Sequence, residues 1–281
     1  MSDYAELTAA DSYCRLLAAR HYENFAVASR LLPAALRLDL ARVYAYCRTT
    51  DDLGDESGGD ATARLGRWRD EVLDLFGGHP PVHPVLVALR ETVRRHDLPP
   101  GPFLDLVGAN LRDQRVHAYE TWSELAAYCQ LSATPVGRIV LRLFGLRHPD
   151  AERLSDDVCT GLQLANFAQD VSRDAARGRR YLLGSEVARL GVPGAVRAHC
   201  DRARGLLASG AELERLASGR LRLQLSLYRL GGLAIVDAIA RAGWDTERTR
   251  PRVSAAARAG LAVRAAMGLR GGTHVANLGP A

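Results

Sequence analysis

Apolar side chains recur every three or four residues along most of the chain. Leu36, Leu40, Val43, Tyr44 and Cys47 follow this spacing behind Pro33, a residue that can open a helix. The pattern predicts a helix running straight into an acidic cluster, Asp51-Asp52-Leu53-Gly54-Asp55-Glu56. Ser57-Gly58-Gly59-Asp60 breaks that helix, and a second helical stretch spans about 65–76. Pro80, Pro81 and Pro84, then Pro99, Pro100 and Pro102, mark connections. Further helical patterns cover about 103–112, 122–144, 151–176, 193–216, 220–242 and 252–268. Sustained strand alternation, internal repeats and low-complexity linkers are absent. The expected fold is all-α: one helical domain over 1–270, with a flexible tail over 271–281.

Composition agrees. Aromatic residues make up only 6% of the 281, while Ala, Leu and Arg dominate, which favours helices over sheets. The formal charge of +5 is carried without a single lysine, and the arginines are spread rather than clustered, so a nucleic-acid partner is not expected. The missing lysine also excludes Schiff-base chemistry and the P-loop. Cys14, Cys47, Cys129, Cys159 and Cys200 are odd in number and form no CxxC pair, which argues against a disulfide framework or a structural zinc site and points to a reducing cytoplasm. The N-terminus has no charged region followed by an apolar core, and no apolar run approaches membrane-spanning length.

Two carboxylate clusters carry the chemistry. Asp51 and Asp55 stand one turn apart and leave the same helix face, with Asp52 and Glu56 beside them. Like charges at that spacing repel, and the helix C-terminus is unfavourable to them, so a cation is needed. Hard oxygen donors suit Mg2+, which completes its octahedron with water and phosphate oxygens. The second cluster spaces Asn166, Asp170 and Asp174 by four and four, with Leu162, Ala165, Phe167 and Val171 between them, so a polar stripe on a largely buried helix should face an enclosed cavity. Together the clusters fit a clamp on a diphosphate, whose departure leaves a carbocation shielded by the apolar interior. Arg48, Arg173 and Arg177-Gly178-Arg179-Arg180-Tyr181 could complete the clamp.

The segments Tyr44-Ala45-Tyr46-Cys47-Arg48-Thr49-Thr50-Asp51-Asp52 and Gln163-Leu164-Ala165-Asn166-Phe167-Ala168-Gln169-Asp170 resemble the two signatures of the squalene/phytoene synthase family. The resemblance covers about residues 14–240. His21-Tyr22-Glu23-Asn24-Phe25, Leu31-Leu32-Pro33, Asp113-Gln114, Tyr128-Cys129 and Ser132-Ala133-Thr134-Pro135-Val136-Gly137 are similar to its bacterial hydroxysqualene synthase branch, which ionises presqualene diphosphate and captures the rearranged cation with water. The resemblance implies a class I isoprenoid synthase helical bundle with a central cavity. It also implies Asp51, Asp52, Asp55, Asn166, Asp170 and Asp174 as metal ligands or their supports, with Asp51, Asp52, Asp55, Asp170 and Asp174 catalytic. Arg48, Gln169 and Arg173 would contact diphosphate, while Tyr44 and Tyr181 would line or gate the pocket. His21, Gln163 and Arg179 join the substrate-binding set.

Three departures bear on substrate: Ala26 where the branch has proline, Ala168 where it has tryptophan, and Leu183-Gly184 where it has proline after Tyr-Leu. Ala168 is expected to reshape the pocket. Hydroxysqualene or squalene formation from presqualene or farnesyl diphosphate therefore stands beside a second reading, transfer of a short allylic group such as dimethylallyl to an aromatic, carbazole-type acceptor in secondary metabolism. A non-catalytic binding protein is a third reading, opposed by the costly like-charge pairs. A terpene cyclase is a fourth, opposed by the Tyr44–Arg48 signature. Products this apolar imply peripheral membrane contact by an otherwise cytoplasmic protein.

Overall fold

The structure is a computed structural model that describes residues 3–21, 32–55 and 60–266. Among these residues the chain is helical, in the order α1 (Asp3–His21), α2 (Ala34–Asp55), α3 (Ala61–Phe76), α4 (Pro84–His96), α5 (Gly101–Asp113), α6 (Trp122–Ser132), α7 (Thr134–Leu143), α8 (Ala151–Gln169), α9 (Val171–Ala176), α10 (Gly184–Leu216), α11 (Gly219–Arg241) and α12 (Ala255–Ala266). Among the described residues, the one pairing of extended backbone is an isolated parallel bridge between Ala118 and Arg180. The all-α expectation holds. The expected tail over 271–281 lies outside the described residues.

Helix ends follow local chemistry. Asp60 caps α3 by accepting from the Ala63 amide (3.0 Å). At α6 the Thr121 side chain accepts from the Glu124 amide while the Glu124 carboxylate accepts from the Thr121 amide (3.1 Å), a reciprocal capping box.

The periodicity misplaced several boundaries. The prolines over 80–84 do mark a connection, yet Pro84 also opens α4, whose missing amide costs nothing at a first turn. In α1 the buried stripe is Ala10, Cys14 and Ala18 while Tyr4, Tyr13 and Leu16 are exposed, so its apolar pattern is diluted. The stretch over 122–144 is two helices that break at Ala133, ahead of Pro135. The stretch over 151–176 breaks at Asp170 (φ −102°, ψ 18°). Helix α10 starts at Gly184 and kinks at Gly191 (φ 70°), a left-handed conformation suited to glycine.

Two large apolar cores result. Tyr46, Trp68, Leu86 and Phe103 join α2, α3, α4 and α5 around the first; Tyr128, Leu164, Phe167 and Cys200 join α6, α8 and α10 around the second. Helix α10 lies along both α8 and α11. A buried polar network ties the N-terminal helices: Arg42 donates twice to Asp11 (2.7 and 2.8 Å), and buried Asp39 accepts from Thr92 (2.8 Å), His96 (2.9 Å) and Arg95 (3.1 Å). Burial alone would raise the Asp39 pKa, but the bonds from His96 and Thr92 and the Arg95 charge outweigh it and hold it below the ordinary value. Although Arg220, Arg222, Arg229 and Asp237 interrupt it, α11 is long and apolar enough to cross a membrane by length and composition, and half of its most apolar stretch is buried in the protein.

Candidate active site

The last two turns of α2 carry the first cluster, and the opposite face of the helix is fixed to the core. The Tyr46 hydroxyl donates to the Phe103 carbonyl (2.8 Å), and Trp68 Nε1 donates to Thr50 Oγ1 (2.9 Å), which leaves Tyr44, Arg48, Asp51 and Asp55 on the other side. Helix α5 supports the acidic end. Asn110 Nδ2 donates to Asp51 Oδ1 (3.1 Å), and Gln114 Nε2 donates to the Gly54 carbonyl (3.2 Å). Gly54 permits this approach: a Cβ there would stand 2.6 Å from Asn110 Oδ1.

Asp51 is exposed at the end of α2, with Asn110, Asp55, Arg48 and Asp52 beside it. Desolvation raises its pKa to about 6; Asn110 and Arg48 oppose the rise, while Asp55 and Asp52 add to it. Tyr44, half-buried one turn back, has its pKa raised by burial, with Arg48 opposing and Asp51 adding. Arg48 pairs with Asp52 through Nε (3.1 Å) and Nη2.

The second cluster follows from the end of α8. Asn166 is exposed and Gln163 half-buried on the same side of the helix. Asp170 occupies the break before α9, and Asp174 lies one turn further. Desolvation, then the charge of Asp170, raises the Asp174 pKa to about 6 against the opposing Arg177 and Arg179. After α9 the chain reverses at Gly178 (φ 72°), with the Arg177 and Arg179 amides both donating to the Asp174 carbonyl (3.0 and 2.8 Å). That reversal aims both arginines at the other cluster. Arg179 Nη2 lies 2.9 Å and Arg177 Nη1 3.6 Å from Asp55 carboxylate oxygens. The two clusters, about 115 residues apart in sequence, therefore face each other across a pair of guanidinium groups.

Below this bridge lies an aromatic stack. Phe167 and Tyr181 are parallel, 4.0 Å apart and inclined by 9°, and Tyr128 stacks on Tyr181 at 5.6 Å. The Tyr128 hydroxyl donates to Asp113 Oδ2 (2.8 Å). Asp113 is buried, which raises its pKa against the Tyr128 bond and the Arg179 charge.

Several expected roles change. Ala168 does not line the cleft: it is fully buried in the second core, because a residue two positions from Asn166 points to the opposite side of a helix. Gln169, expected on the diphosphate, is buried and committed elsewhere, donating to the Pro251 carbonyl (2.6 Å) and accepting from Arg250 Nη2 (2.9 Å). Tyr181 is nine-tenths buried inside the stack and is not a surface gate. The side chain of His21 lies outside the described residues.

Arg250 was not anticipated. It donates to both oxygens of Asp170, one at 3.0 Å, while Arg173 stands 3.7 Å away. Its only sequence signal was membership of an arginine-rich tract with Arg248 and Arg252. Among the described residues no three His, Cys, Asp or Glu side chains form a ready-made metal site. The carboxylates of Asp52, Asp55 and Asp170 are clasped by guanidinium groups instead. Their oxygen chemistry still fits a hard divalent cation, which would have to displace those arginines.

A family model described as squalene/phytoene synthase matches residues 18–257, a span that includes both clusters and Arg250. The phytoene synthase of Arthrospira platensis is 33% identical over 192 residues, 62% of either chain, so this chain spans under two thirds of that relative. The hydroxysqualene synthase of Rhodopseudomonas palustris is 33% identical over 232 residues, 78% of this chain and 77% of that one. Among solved structures, squalene synthase HpnC from Alicyclobacillus acidocaldarius superposes with a TM-score of 0.80 at 43% identity, covering 85% of this chain and 96% of that one. With its facing carboxylate clusters and helical fold, the chain belongs to the squalene/phytoene synthase family of isoprenoid synthases.

Proposed function

We propose that this protein ionises an isoprenoid diphosphate with Mg2+, releases diphosphate, and acts as a hydroxysqualene or squalene synthase on presqualene or farnesyl diphosphate. The observation that carries this reading is the Arg177–Arg179 turn, which reaches from the second cluster to Asp55 of the first and so defines a cationic slot walled by carboxylates on both sides. Asp51, Asp52, Asp55, Asn166, Asp170 and Asp174 would hold Mg2+, which supplies neutralisation of the charge that develops on the leaving diphosphate. Arg48, Arg173, Arg177 and Arg179 exchange their carboxylate partners for diphosphate oxygens, the acceptors that the paired guanidinium donors suit best. Asn110 holds Asp51 in place, and Asp52 holds Arg48. The aromatic stack and the second apolar core keep water from the hydrocarbon end.

The likeness to the hydroxysqualene synthase and to HpnC supports this substrate class. Of the three departures behind the aromatic-acceptor reading, Ala168 is packed in the core and Leu183 is buried, so neither of these two lends it support. The test is incubation of the purified protein with Mg2+ and, separately, dimethylallyl, farnesyl, presqualene and a C20 allylic diphosphate, with products identified by mass. Consumption of presqualene or farnesyl diphosphate to C30 products is expected. Turnover of dimethylallyl diphosphate with an aromatic acceptor alone, or of the C20 compound alone, would overturn the assignment. Asp51→Asn should lower diphosphate release by about 10²–10³-fold with an unchanged helical circular-dichroism spectrum.

A further inference from the structure

His199 is fully buried on α10, yet the chemistry derived above makes no use of it. An imidazole taken out of water needs partners for its ring nitrogens. Nε2 lies 3.1 Å from the Tyr181 carbonyl oxygen. Nδ1 lies 3.2 Å from the Ala195 carbonyl oxygen and 3.6 Å from a Glu186 carboxylate oxygen that also accepts from Arg202 (3.1 Å). All three neighbours are acceptors, and a neutral imidazole donates from one nitrogen only. Burial, then the Arg202 charge, lowers the His199 pKa against Glu186 and the two carbonyls, so the ring is neutral at about pH 7.5. The two carbonyls differ in need. That of Ala195 stands four residues back on the same helix, where the His199 amide already serves it. That of Tyr181 lies in the non-helical stretch before α10 and, among the described residues, accepts from no backbone amide. A buried carbonyl keeps a partner, which puts the proton on Nε2.

The bond falls at a sensitive place. Tyr181 follows Arg179 by two residues, and its ring stacks on Phe167, the neighbour of Asn166. On either side of it the Arg180 amide donates to the His117 carbonyl (2.7 Å) and the Gly184 amide to the Tyr119 carbonyl (2.9 Å). The loop over 117–119 thus holds this stretch on one side, and α10 holds it on the other through His199. Arg177 and Arg179 stand between these anchors and the junction of α8 and α9, on the turn that reaches Asp55.

We propose that His199 is a positioning residue for the diphosphate slot: by donating from Nε2 to the Tyr181 carbonyl it fixes the turn that aims Arg177 and Arg179 at the first cluster. This deepens the diphosphate reading given above and rests on it. His199 acts through the backbone of Tyr181, and its bond is the one that a side chain of α10 supplies to this stretch. Losing it leaves the turn tied to the 117–119 loop alone, so the two guanidinium groups spread over more positions and grip a diphosphate less often in the right one.

Two substitutions separate the ring nitrogens, since the amide donor of asparagine stands about where Nδ1 does and that of glutamine about where Nε2 does. In calorimetric titration with inorganic diphosphate and Mg2+, His199→Asn should bind about fivefold more weakly than wild type, the worth of one hydrogen bond, while His199→Gln should stay within about twofold of it. In turnover of presqualene diphosphate, His199→Asn should raise KM about fivefold with kcat little changed, because the turn grips the diphosphate before and during ionisation. A variant that merely left part of the protein unfolded would lower kcat at unchanged KM. Equal diphosphate affinities in the two variants would make His199 a packing residue and overturn the inference. Wild-type protein labelled with 15N-histidine gives a reading that needs no substitution: the proton should sit on Nε2 of His199 at about pH 7.5, and a proton on Nδ1 instead would overturn the inference as well. A wild-type protein that binds no diphosphate in the presence of Mg2+ would overturn the functional reading itself, a result distinct from the other two.

Discussion

Asp51 and Asp174 stand on different helices, yet burial, together with a neighbouring carboxylate, pushes both up to about 6 from an ordinary 3.8. A carboxyl that holds its proton longer in the folded chain than in the unfolded one makes the folded chain bind more protons between those two values. Stability therefore falls as pH rises from about 4 to about 6 and stays lower above that window. Asp51→Asn removes the charge that causes this loss. In chelator-treated protein the variant should melt higher than wild type at about pH 7.5, and the difference should shrink at about pH 5, where Asp51 is already protonated. A melting difference that does not change between the two would show that Asp51 ionises normally. The same two residues illustrate what a sequence can reveal at this scale. The four-residue spacing that put Asp51 with Asp55, and Asp170 with Asp174, was legible because helix geometry is local. The role of Ala168 was misjudged because nearness in sequence was taken for nearness to the cleft, when two positions along a helix turn a side chain to the far side.

At the scale of elements, the segment between α11 and α12 behaves as a strap on the second cluster. Arg250 holds Asp170 and Gln169, and Pro251 accepts from Gln169, so one short stretch clasps the junction of α8 and α9 from 80 residues away. A guanidinium on both oxygens of Asp170 competes with any cation for that carboxylate. Arg250→Ala should therefore tighten Mg2+ binding about fivefold, roughly 1 kcal/mol for a partly exposed ion pair, while the backbone amides over 244–254 exchange hydrogen faster. Calorimetric titration and hydrogen exchange read the two effects separately. Weaker Mg2+ binding would mean that Arg250 organises Asp170 for the metal. This strap could not be read from the sequence, since no periodicity links residue 250 to residue 170 and arginine is common throughout the chain. The break at Asp170 was equally hidden, lacking a glycine or proline to announce it.

For the molecule as a whole, the seating of the two carboxylate clusters on helices of different apolar cores has a thermodynamic consequence. Asp51, Asp52 and Asp55 belong to a helix packed on the first core, while Asn166 and Phe167 belong to one packed on the second. The all-helical architecture was legible from composition and period, but the meeting of the clusters depends on tertiary packing and on the Gly178 reversal, which only the structure supplies. A ligand held by both clusters must tie the two halves together, whereas a ligand held by one cannot. Mg2+ alone meets carboxylates already occupied by arginines, and diphosphate alone meets arginines already occupied by carboxylates. Supplied together, each satisfies the partners that the other displaces. Inorganic diphosphate and Mg2+ supplied together, at about 100 times the dissociation constant of their joint complex and below the much weaker constant of either one alone, should stabilise the fold by about 2.7 kcal/mol. For a chain this large that corresponds to a melting shift of roughly 5–10 °C, well above the sum of the shifts produced by either ligand separately. Asp174→Asn, which breaks the second wall of the slot, should reduce the joint shift to that sum. Simple additivity in the wild-type protein would mean that the clusters bind independently and that the bridge of Arg177 and Arg179 to Asp55 is a surface contact without a ligand to hold.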